Sequence, residues 1–482
     1  MTPARGSFTE DSHSREPPQH KEQAVSSTPT TVEKTKILTR PIIEWSLWDW
    51  GSAAFNAVAT TFVFSTYLTS DGLFTDSGTA NNRLSLGLTI AGLFIALLAP
   101  ITGQRADRRG KGGVLLGWFT GGVVICMLAM FFISPESAIG PEAALWLGIA
   151  LLGLGNVFFE FASVNYNAML NHLADKKDIG RISGLGWGMG YVGGIVLLLI
   201  LYVGLIGPNL LGVTTDNSLN IRVAMVIAAL WFGGFAIPVI ARPPKPRVAH
   251  VDNGEKENLI DSYKLLWGTV KRLYKEAPQT LFFLIASAVF RDGLAGVFTF
   301  GAILAKSAFG FSAGDIMIFA IASNIVAGLA TILFGRIDDK AGPKVVIISC
   351  LACMSLAGLG VFFLHDRGPM VFWVLGLLLC VFVGPTQSAS RSFLGRLIPP
   401  GREGEVFGLY ATTGRAVSFL APLMYGLFLR IGKANQTDPT ADYTYWGILG
   451  IILVLIVGLL LTLPVKIDQA HLRHIDGEGE QA

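Results

Sequence analysis

The chain has 482 residues, of which 51% are hydrophobic and only 15% are charged, and its formal net charge is +3. Soluble domains contain about 25% charged residues, so this composition argues against a soluble protein. The apolar residues are concentrated in runs of about 20, the length that crosses a hydrocarbon core of about 30 Å. We therefore expect an all-α polytopic membrane protein, because a helix satisfies its own backbone hydrogen bonds in lipid.

The apolar runs predict roughly twelve spanning helices, arranged as two halves at residues 42–241 and 279–465. Residues 1–41 are rich in Ser, Thr, Pro, Glu and His, and we expect a disordered cytoplasmic tail there. Residues 466–482 are expected to form a second cytoplasmic tail. The predicted helices are 42–69, 84–104, 113–133, 143–170, 182–206, 221–241, 279–305, 313–335, 344–364, 370–393, 405–430 and 442–464.

Lys and Arg are concentrated in the loops on one side of the predicted bundle, which we call the basic-loop side. The positive-inside rule predicts that this side is cytoplasmic. An even number of spans then places both termini in the cytoplasm. The bases that define this side are Arg105, Arg108, Arg109, Lys111, Lys176, Lys177, Arg181, Arg336, Lys340, Lys344, Arg396 and Arg402.

The loop between the two halves, residues 242–278, begins with the proline-rich segment 242–246 and continues as a predicted amphipathic helix. Its apolar residues recur at alternating spacings of four and three, which places them on one face. We expect this helix to lie in the inner headgroup layer, with a solvated linker helix as the alternative. The apolar stripe consists of Leu259, Tyr263, Leu266, Val270 and Leu273.

A glycine-bounded basic turn, residues 103–111, follows the second predicted span, and a weaker copy at 335–344 follows the eighth. In both copies a glycine is followed four residues later by aspartate, then by a base and a second glycine. The loops after the fourth and tenth spans also match at one constant offset. There, Leu173, Gly180, Gly184 and Leu185 correspond to Leu397, Gly404, Gly408 and Leu409. These repeats indicate two parallel halves, an arrangement typical of one large transporter class.

Ionisable side chains inside a span cost about 2.5–3.5 kcal/mol each on insertion scales, so they usually face the bundle interior. The fourth predicted span carries a polar stripe at spacings of four, three and four, and polar residues of the tenth span match part of it. This pattern favours a central polar pathway, with interhelical hydrogen bonding as the alternative. The predicted pathway residues are Asp49, Asn56, Asn156, Glu160, Ser163, Asn167, Arg291, Asp292, Asn324, Gln387, Arg391 and Arg415.

Among these residues, Asp292 is expected to face the cavity and to bind a base from another helix, with Arg415 and Arg391 as the candidates. Asp49 lies nearer the cytoplasmic end and is a candidate gate residue. The tryptophans beside it, at positions 45, 48 and 50, predict an inner aromatic belt. No spacing typical of a metal cluster, a P-loop or a catalytic triad is visible in the sequence, so we expect no enzyme activity, no cofactor and no metal.

The two halves, the long central loop and the GxxxDRxGK pattern of residues 103–111 together resemble the major facilitator superfamily. Segments 44–50, 181–191, 291–293, 385–392 and 398–403 are similar to its vacuole-effluxer-like branch. This branch is named for a fungal autophagy-related vacuolar protein that exports amino acids, and it includes many bacterial permeases. The resemblance implies a fold of two six-helix halves.

The resemblance also implies that the aspartate of each basic turn helps to hold the cytoplasmic side closed through charge pairs and the N-terminus of a neighbouring helix. A helix N-terminus carries about +0.5 charge, which suits this role. Glu405, at the predicted start of the eleventh span, is expected to compete with Asp107 for that end. The predicted latch residues are Gly103, Asp107, Arg108, Gly110, Gly335, Asp339, Lys340 and Gly342.

We therefore expect a secondary transporter that moves a small solute by alternating access, with amino-acid efflux as the leading assignment. The alternatives are a proton-coupled multidrug or metabolite exporter and a non-transporting sensor or scaffold. The expected partners are a small-molecule substrate and the lipid bilayer, without nucleic acid, for a monomer in the plasma membrane. Protons are the candidate coupling ion, with sodium coupling and facilitated diffusion as alternatives.

Overall fold

The computed structural model describes residues 38–246, 258–435 and 443–466. Nearly all of the two predicted tails, 1–41 and 466–482, therefore lies outside the described residues. The described part of the chain contains eleven helical segments that are long and apolar enough to cross a membrane.

The first half begins with α1 (Arg40–Ala53), which continues through a π-helical segment (Ala54–Phe62) and a short helix (Phe64–Leu68). This broken segment corresponds to the predicted first span, so the described helices are consistent with twelve spans. The remaining long helices of this half are α2 (Ser77–Arg109), α3 (Gly112–Ala129), α4 (Pro141–Ala168), α5 (Ile179–Leu201) and α6 (Leu219–Ala241).

The linker contains helix α7 (Leu259–Glu276), and the second half follows it. The predicted eleventh span consists of two helices, α12 (Glu403–Val417) and α13 (Leu420–Ala434), with a break at Ser418 and Phe419. The helices of the second half are α8 (Pro278–Ser307), α9 (Ala313–Ala341), α10 (Pro343–Phe363), α11 (Pro369–Leu397), α12 (Glu403–Val417), α13 (Leu420–Ala434) and α14 (Gly447–Thr462).

Several helices are longer than the apolar runs that predicted them, and α2 is the clearest case. Its polar ends continue the backbone hydrogen bonds beyond the apolar run 84–104. Asp76 caps its start, accepting a hydrogen bond from the Thr79 backbone N–H at 2.8 Å, and this bond lowers the pKa of Asp76 below its ordinary value. Gly110, with φ of 58°, ends the helix in the left-handed conformation that favours glycine.

The two halves contact each other most extensively where α2 packs on α12 and where α5 packs on α9. Glycines allow a close backbone approach at both crossings. A Cβ on Gly103 would lie 1.9 Å from the carbonyl oxygen of Gly404, and one on Gly184 would lie 2.7 Å from that of Thr331. Gly103, the first glycine of the basic turn, thus lies at the contact between the two halves.

One apolar core lies wholly in the first half and contains the tryptophans of α1. The other, which we call the core of the second half, also includes residues of α2 and α4, namely Ile95, Ala99, Phe161, Val164 and Ala168. Trp45 is 0% exposed and Trp48 is 1% exposed, and both stack on the ring of Tyr166. The predicted inner aromatic belt is therefore wrong for these two residues. Their indole N–H groups find partners inside the protein, the carbonyl of Tyr166 and the hydroxyl of Thr120, which makes full burial possible.

Three residues of the predicted apolar stripe of the linker helix pack on the bundle, whereas Tyr263 is 39% exposed and the side chain of Leu259 lies outside the described part of the structure. Leu273 is 2% exposed, and Leu266 and Val270 pack against the core of the second half. These three residues therefore meet protein, and the position of α7 relative to a headgroup layer stays a prediction. An amphipathic stripe alone does not distinguish a lipid surface from a protein surface, because both bury the same apolar side chains.

Candidate functional site

The Asp107 carboxylate joins the two halves on the basic-loop side. It accepts hydrogen bonds from the backbone N–H groups of Gly404 at 2.9 Å and Glu405 at 2.8 Å. These N–H groups lie in the first turn of α12, where a helix leaves its donors without intrahelical partners. Asp107 therefore caps a helix of the opposite half, as the resemblance implied. Gly103, one helical turn earlier, allows the two backbones to approach.

Asp339 makes the equivalent contact in the second copy of the turn. It accepts hydrogen bonds from the backbone N–H groups of Gly180 at 2.8 Å and Arg181 at 3.1 Å, at the start of α5. The Arg181 side chain also donates to Asp339 through Nε at 2.7 Å. Arg396 donates to Asp339 at 3.1 Å and pairs with the neighbouring Asp338.

Sequence reasoning did not place Asp338, Arg181 or Arg396 in this cluster, although it used both arginines as topology markers. The double acid Asp338-Asp339 was the available signal, since two adjacent carboxylates at a helix end need more than one positive partner. Arg396 also donates through Nε to the Lys176 carbonyl at 3.0 Å. We call the contacts of Asp107 and Asp339 with the opposite half the two latches.

The two latches differ at one matching position. The repeats after the fourth and tenth spans are related by an offset of 224 residues. Asn171 and Gly395 are matching positions at this offset, and the Asn171 side chain donates to the Gly395 carbonyl across the halves. At this offset Glu405 corresponds to Arg181. The second latch therefore has an arginine beside its aspartate, whereas the first has a glutamate, whose carboxylate accepts a hydrogen bond from Gln104 at 3.2 Å.

The other predicted latch residues lie at the ends of α2 and α9. Gly110 and Gly342 end α2 and α9 with φ angles of 58° and 92°, so these positions favour glycine. Arg108 and Lys340 lie in the last turns of the same two helices, where positive charge is stabilised by the helix dipole.

A buried ion pair lies between the halves, next to the core tryptophans. Arg391, whose side chain is 4% exposed, approaches Asp49 at 3.4 Å. Tyr166 Oη donates to Asp49 at 2.9 Å, and Arg391 donates to Asn167 at 3.1 Å and to the Ser183 carbonyl at 2.7 Å. The guanidinium carbon of Arg391 lies 5.1–5.8 Å from three aromatic ring centroids, those of Trp45, Tyr166 and Trp187.

A second, more exposed cluster contains Glu160 and Arg415, whose side chains pair across the halves and are 24% and 32% exposed. Arg415 also reaches Asn156 at 3.5 Å. Arg291 lies on α8 with its guanidinium carbon 3.6 Å from the centroid of the Tyr410 ring, and it donates to the Tyr410 carbonyl at 3.0 Å. The cluster thus presents both signs of charge between the two halves.

Asp292 makes a different contact from the one predicted. Its carboxylate accepts a hydrogen bond from the backbone N–H of Ala421 at 2.5 Å, in the first turn of α13. The predicted pairing with Arg415 or Arg391 is wrong, because those arginines bind Glu160 and Asp49. The broken eleventh span supplies the positive partner as a helix N-terminus, and Pro422 in its first turn was the sequence signal for a helix start.

The remaining predicted pathway residues are distributed around these clusters. Asn167 donates to Ser163 at 3.3 Å, and Gln387 accepts a hydrogen bond from Tyr191 at 2.9 Å. Asn324 donates to the Ala320 carbonyl of its own helix, and Asn56 accepts two threonine hydroxyls through its backbone carbonyl. Asn56 and Asn324 therefore lie outside both ion-pair clusters.

No group of three or more His, Cys, Asp or Glu side chains with the geometry of a metal site occurs among residues 38–246, 258–435 and 443–466. The acids described above are instead bound by arginines, by backbone N–H groups and by the side chains of Tyr166 and Gln104. The arrangement is that of a polar seam between two helical bundles, with ion pairs at two depths and helix caps on the basic-loop side.

Residues 84–473 match the protein family described as Vacuole effluxer Atg22 like. The chain is 24% identical over 429 residues to the uncharacterized MFS-type transporter YxiO of Bacillus subtilis, a match that covers 88% of this chain and 95% of that protein. It is 26% identical over 269 residues to autophagy-related protein 22-1 of Aspergillus fumigatus, which covers 51% of this chain and 43% of the fungal protein.

Solved structures of the major facilitator superfamily have the same fold. The proton:xylose symporter XylE superposes with a TM-score of 0.66 at 14% identity, covering 89% of this chain and 95% of that chain. The human organic anion transporter MFSD10 superposes with a TM-score of 0.64 at 15% identity, covering 88% of this chain and 99% of that chain. Both confirm the predicted fold class, and at this identity they carry information about the fold alone.

Proposed function

Because this chain belongs to the Vacuole effluxer Atg22 like family and is a multi-pass transporter with the major facilitator fold, we propose that it exports a small zwitterionic solute such as an amino acid. The coarse function follows from the family and the fold, which point to a transporter and not to an enzyme. The substrate, its direction and its binding residues are our proposals.

The observation that carries the substrate proposal is the mixed-charge cluster between the halves. Glu160, Arg415 and Arg291 lie within the spanning helices, and Glu160 and Arg415 keep side-chain exposures of 24% and 32%. A carboxylate of a zwitterion would bind the guanidinium groups, since arginine pairs with carboxylates through two parallel hydrogen bonds. Its ammonium group would bind Glu160, replacing the Arg415 contact. A purely hydrophobic drug would leave these charges without partners.

The pair of Asp49 and Arg391 serves in this proposal as the gate between the substrate cluster and the basic-loop side. It is more deeply buried than the pair of Glu160 and Arg415, and three aromatic rings surround its guanidinium group. The two latches lie beyond it. Transport then requires this gate and both latches to open together while the opposite side closes, as expected for rocking of two halves about a central site.

We further propose that the protein lies in a plasma membrane with the basic-loop side and both termini in the cytoplasm. The distribution of Lys and Arg supports this orientation. Protons are the proposed coupling ion, with Glu160 as the acid that exchanges Arg415 for a proton during the cycle. The two latches and the gate formed by Asp49 and Arg391 would then close the cytoplasmic end of the pathway.

The decisive experiment measures counterflow of radiolabelled amino acids by the full chain in proteoliposomes, with a panel of zwitterionic, anionic and cationic solutes and a hydrophobic dye. We expect at least one zwitterion to be transported and an imposed proton gradient to increase its rate. Glu160→Gln and Arg415→Gln should each reduce transport by about 100-fold, because each leaves a charge without its partner.

A matched control is the double variant Arg83→Gln and Glu142→Gln, which removes an ion pair of the same type whose side chains are 24% and 67% exposed at the other end of the bundle. It should transport at nearly the native rate. Transport of the dye alone, with full activity in the Glu160 and Arg415 variants, would refute the zwitterion proposal. Equal gradient dependence in Glu160→Gln and the native protein would refute proton exchange at Glu160.

A further inference from the structure

The linker helix α7 is attached to the bundle by one face only. Ser262 is 0% exposed and accepts a hydrogen bond from Arg105 Nε at 3.2 Å. Thr269 and Leu273 are also buried on this face. Tyr263 Oη donates to the Leu97 carbonyl of α2 at 2.8 Å. These contacts fix the rotation of α7 about its axis, so its other face has a defined direction.

The outward face of α7 carries large apolar side chains that are exposed and are not buried against the bundle. Ile260, Trp267 and Tyr274 are 66%, 61% and 71% exposed. They recur every seven residues, which is about two helical turns, so the three side chains form a line along one face of the helix. A helix that needed only to be soluble would carry polar residues here. The exposed line is distinct from the buried stripe of Leu266, Val270 and Leu273.

Three lysines follow the same outward face at positions 264, 271 and 275. Lys264 has a side-chain exposure of 73%, and Lys271 and Lys275 are also exposed. Lys271 Nζ lies 5.7 Å from the centroid of the Trp267 ring, so base and aromatic ring occupy one surface. The helix also carries Arg272 and the acids Asp261, which pairs with Lys264 at 3.3 Å, and Glu276, so its bases outnumber its acids.

The position of α7 relative to α2 places this face beside lipid. The Tyr263 contact reaches Leu97, a residue that is itself 48% exposed. Leu97 belongs to an outward apolar side of α2, which in a membrane-spanning helix faces the hydrocarbon core. The other exposed apolar residues of this side are Leu86, Ile90, Leu93 and Phe94. Helix α7 therefore lies where the lipid-facing side of α2 meets the basic-loop side.

We propose that the outward face of α7, formed by Ile260, Trp267, Tyr274 and the lysines 264, 271 and 275, is a binding surface for the headgroups of anionic phospholipids. The aromatic and apolar side chains enter the boundary between headgroups and acyl chains, where Trp and Tyr are enriched. The lysines bury their apolar stems and bind phosphate groups through their ammonium groups. The apolar line requires a lipid, because free phosphate or a soluble acid has no acyl chain to cover it.

The test uses the purified full chain in a neutral detergent and titrates it with dioctanoyl phosphatidylglycerol or dioctanoyl phosphatidylcholine while thermal unfolding is recorded. The anionic lipid should raise the apparent Tm of the native protein at lower concentration than the zwitterionic lipid. In the variant Lys264→Gln, Lys271→Gln, Lys275→Gln, the concentration of anionic lipid that gives half of this shift should rise about tenfold.

The matched control neutralises three exposed bases at the opposite end of the bundle, Lys306, Arg367 and Lys433, and so changes the net charge equally. It should keep the native preference for the anionic lipid. The double variant Trp267→Ser, Tyr274→Ser should lose affinity for both lipids. In the native protein, 0.5 M NaCl should remove the preference for the anionic lipid, because screening acts on exposed charges.

An unchanged anionic preference in the α7 lysine variant would overturn the proposal, as would an equal loss in the opposite-end control. Competition by inorganic phosphate alone at low millimolar concentration would also overturn it in favour of a free-phosphate site. The measurement needs no transported substrate, so its outcome is independent of the proposed zwitterion export. If the lysine variant does not fold, the salt arm and the aromatic variant still decide the matter.

Discussion

At Asp107 and Asp339 a single carboxylate binds two backbone N–H groups of a helix that belongs to the other half. Such hydrogen bonds exist only while the halves are in contact, so we propose that the carboxylates favour the state in which the basic-loop side is closed. The charge environments of the two aspartates differ. Arg181 and Arg396 bind Asp339 directly, whereas the matching position beside Asp107 is the acid Glu405. The second latch should therefore contribute more to the closed state.

This difference predicts unequal effects for two isosteric substitutions. Asp107→Asn keeps one acceptor oxygen and loses one hydrogen bond and the charge, which should destabilise the closed state by about 1–3 kcal/mol. Asp339→Asn also removes one of the two carboxylates that bind each of Arg181 and Arg396, which keep Asp178 and Asp338, and should cost more, about 2–4 kcal/mol. The measurement is the rate at which a membrane-impermeant maleimide labels Ser388→Cys, a position that is 2% exposed in the closed state.

Every protein in the comparison carries Ser388→Cys. We expect the labelling rate to be lowest without a further substitution, higher with Asp107→Asn and highest with Asp339→Asn. Asp366→Asn is the control, because this acid is 67% exposed on a loop at the opposite end of the bundle. It should leave the rate unchanged. Equal labelling of all four proteins would mean that neither aspartate acts as a latch, and a faster rate for Asp107→Asn than for Asp339→Asn would contradict the proposed asymmetry.

Asp292 illustrates the same chemistry inside one half. Because it caps α13, Asp292→Ala should lower the free energy of unfolding by about 1–3 kcal/mol, the usual cost of a buried N–H without a partner. Asp292→Asn should be much milder, since Asn and Asp are comparable N-caps. Thermal unfolding of both variants measures this difference. Dependence of transport on a proton gradient in the native protein and its loss in Asp292→Asn would contradict a purely structural role.

At the scale of helices, the crossing of α2 and α12 depends on the absence of side chains. A Cβ on Gly103 would overlap the Gly404 carbonyl, since it would lie 1.9 Å from that oxygen, and a backbone atom cannot rotate away as a flexible side chain does. The crossing of α5 and α9 has the same character at Gly184. These contacts bring the latch carboxylates within hydrogen-bond distance of the helix N-termini.

Gly103→Ala should therefore open the contact between α2 and α12 while leaving α2 helical. The matched control is Gly92→Ala on the same helix, where an added Cβ would meet nothing within 4 Å. There the substitution should stabilise the helix slightly, by about 0.5–1 kcal/mol. In a Ser388→Cys background, we expect the maleimide to label the cysteine faster when Gly103→Ala is added. With Gly92→Ala, the labelling rate should equal that of the background. Indistinguishable rates for the two variants would contradict a role for the crossing.

At the scale of the whole molecule, the repeats in the sequence predicted the two halves. The resemblance to the superfamily predicted that each basic turn meets a helix N-terminus, and for Asp107 the sequence pointed to the eleventh span. The pairing of the intramembrane charges was not predictable in the same way. Six ionisable residues in spans allow several pairings, and depth along a helix does not define rotation about it. Asp292 was assigned to an arginine because a helix break inside the eleventh span creates a positive end that residue counts do not include.

The two faces of the linker helix have a similar explanation. Of the predicted stripe, Leu266, Val270 and Leu273 share one buried face, whereas Tyr263 is 39% exposed. The same periodicity fits burial against lipid and burial against protein. Only the contacts with α2 and the second core decide which surface each face meets. Gly184 and Gly188 of α5 allow a close approach to α9 that the helical periodicity alone does not specify.

The closed contact between the halves can be tested as a unit through Ser183 and Ser388. Their hydroxyl oxygens lie 3.1 Å apart across the halves, and the residues are 0% and 2% exposed. In the double variant Ser183→Cys, Ser388→Cys, a small approach brings the sulfurs to the disulfide distance of about 2.05 Å. Oxidation should hold the basic-loop side closed. Transport in proteoliposomes should then fall at least about tenfold and recover on reduction, because alternating access requires this side to open.

Each single cysteine variant should be insensitive to oxidant. Binding of substrate from the opposite side should persist in the oxidised protein, since the cluster of Glu160 and Arg415 is not part of the cross-link. Full transport by a protein shown by mass spectrometry to be cross-linked would refute the assignment of this contact as a closed gate.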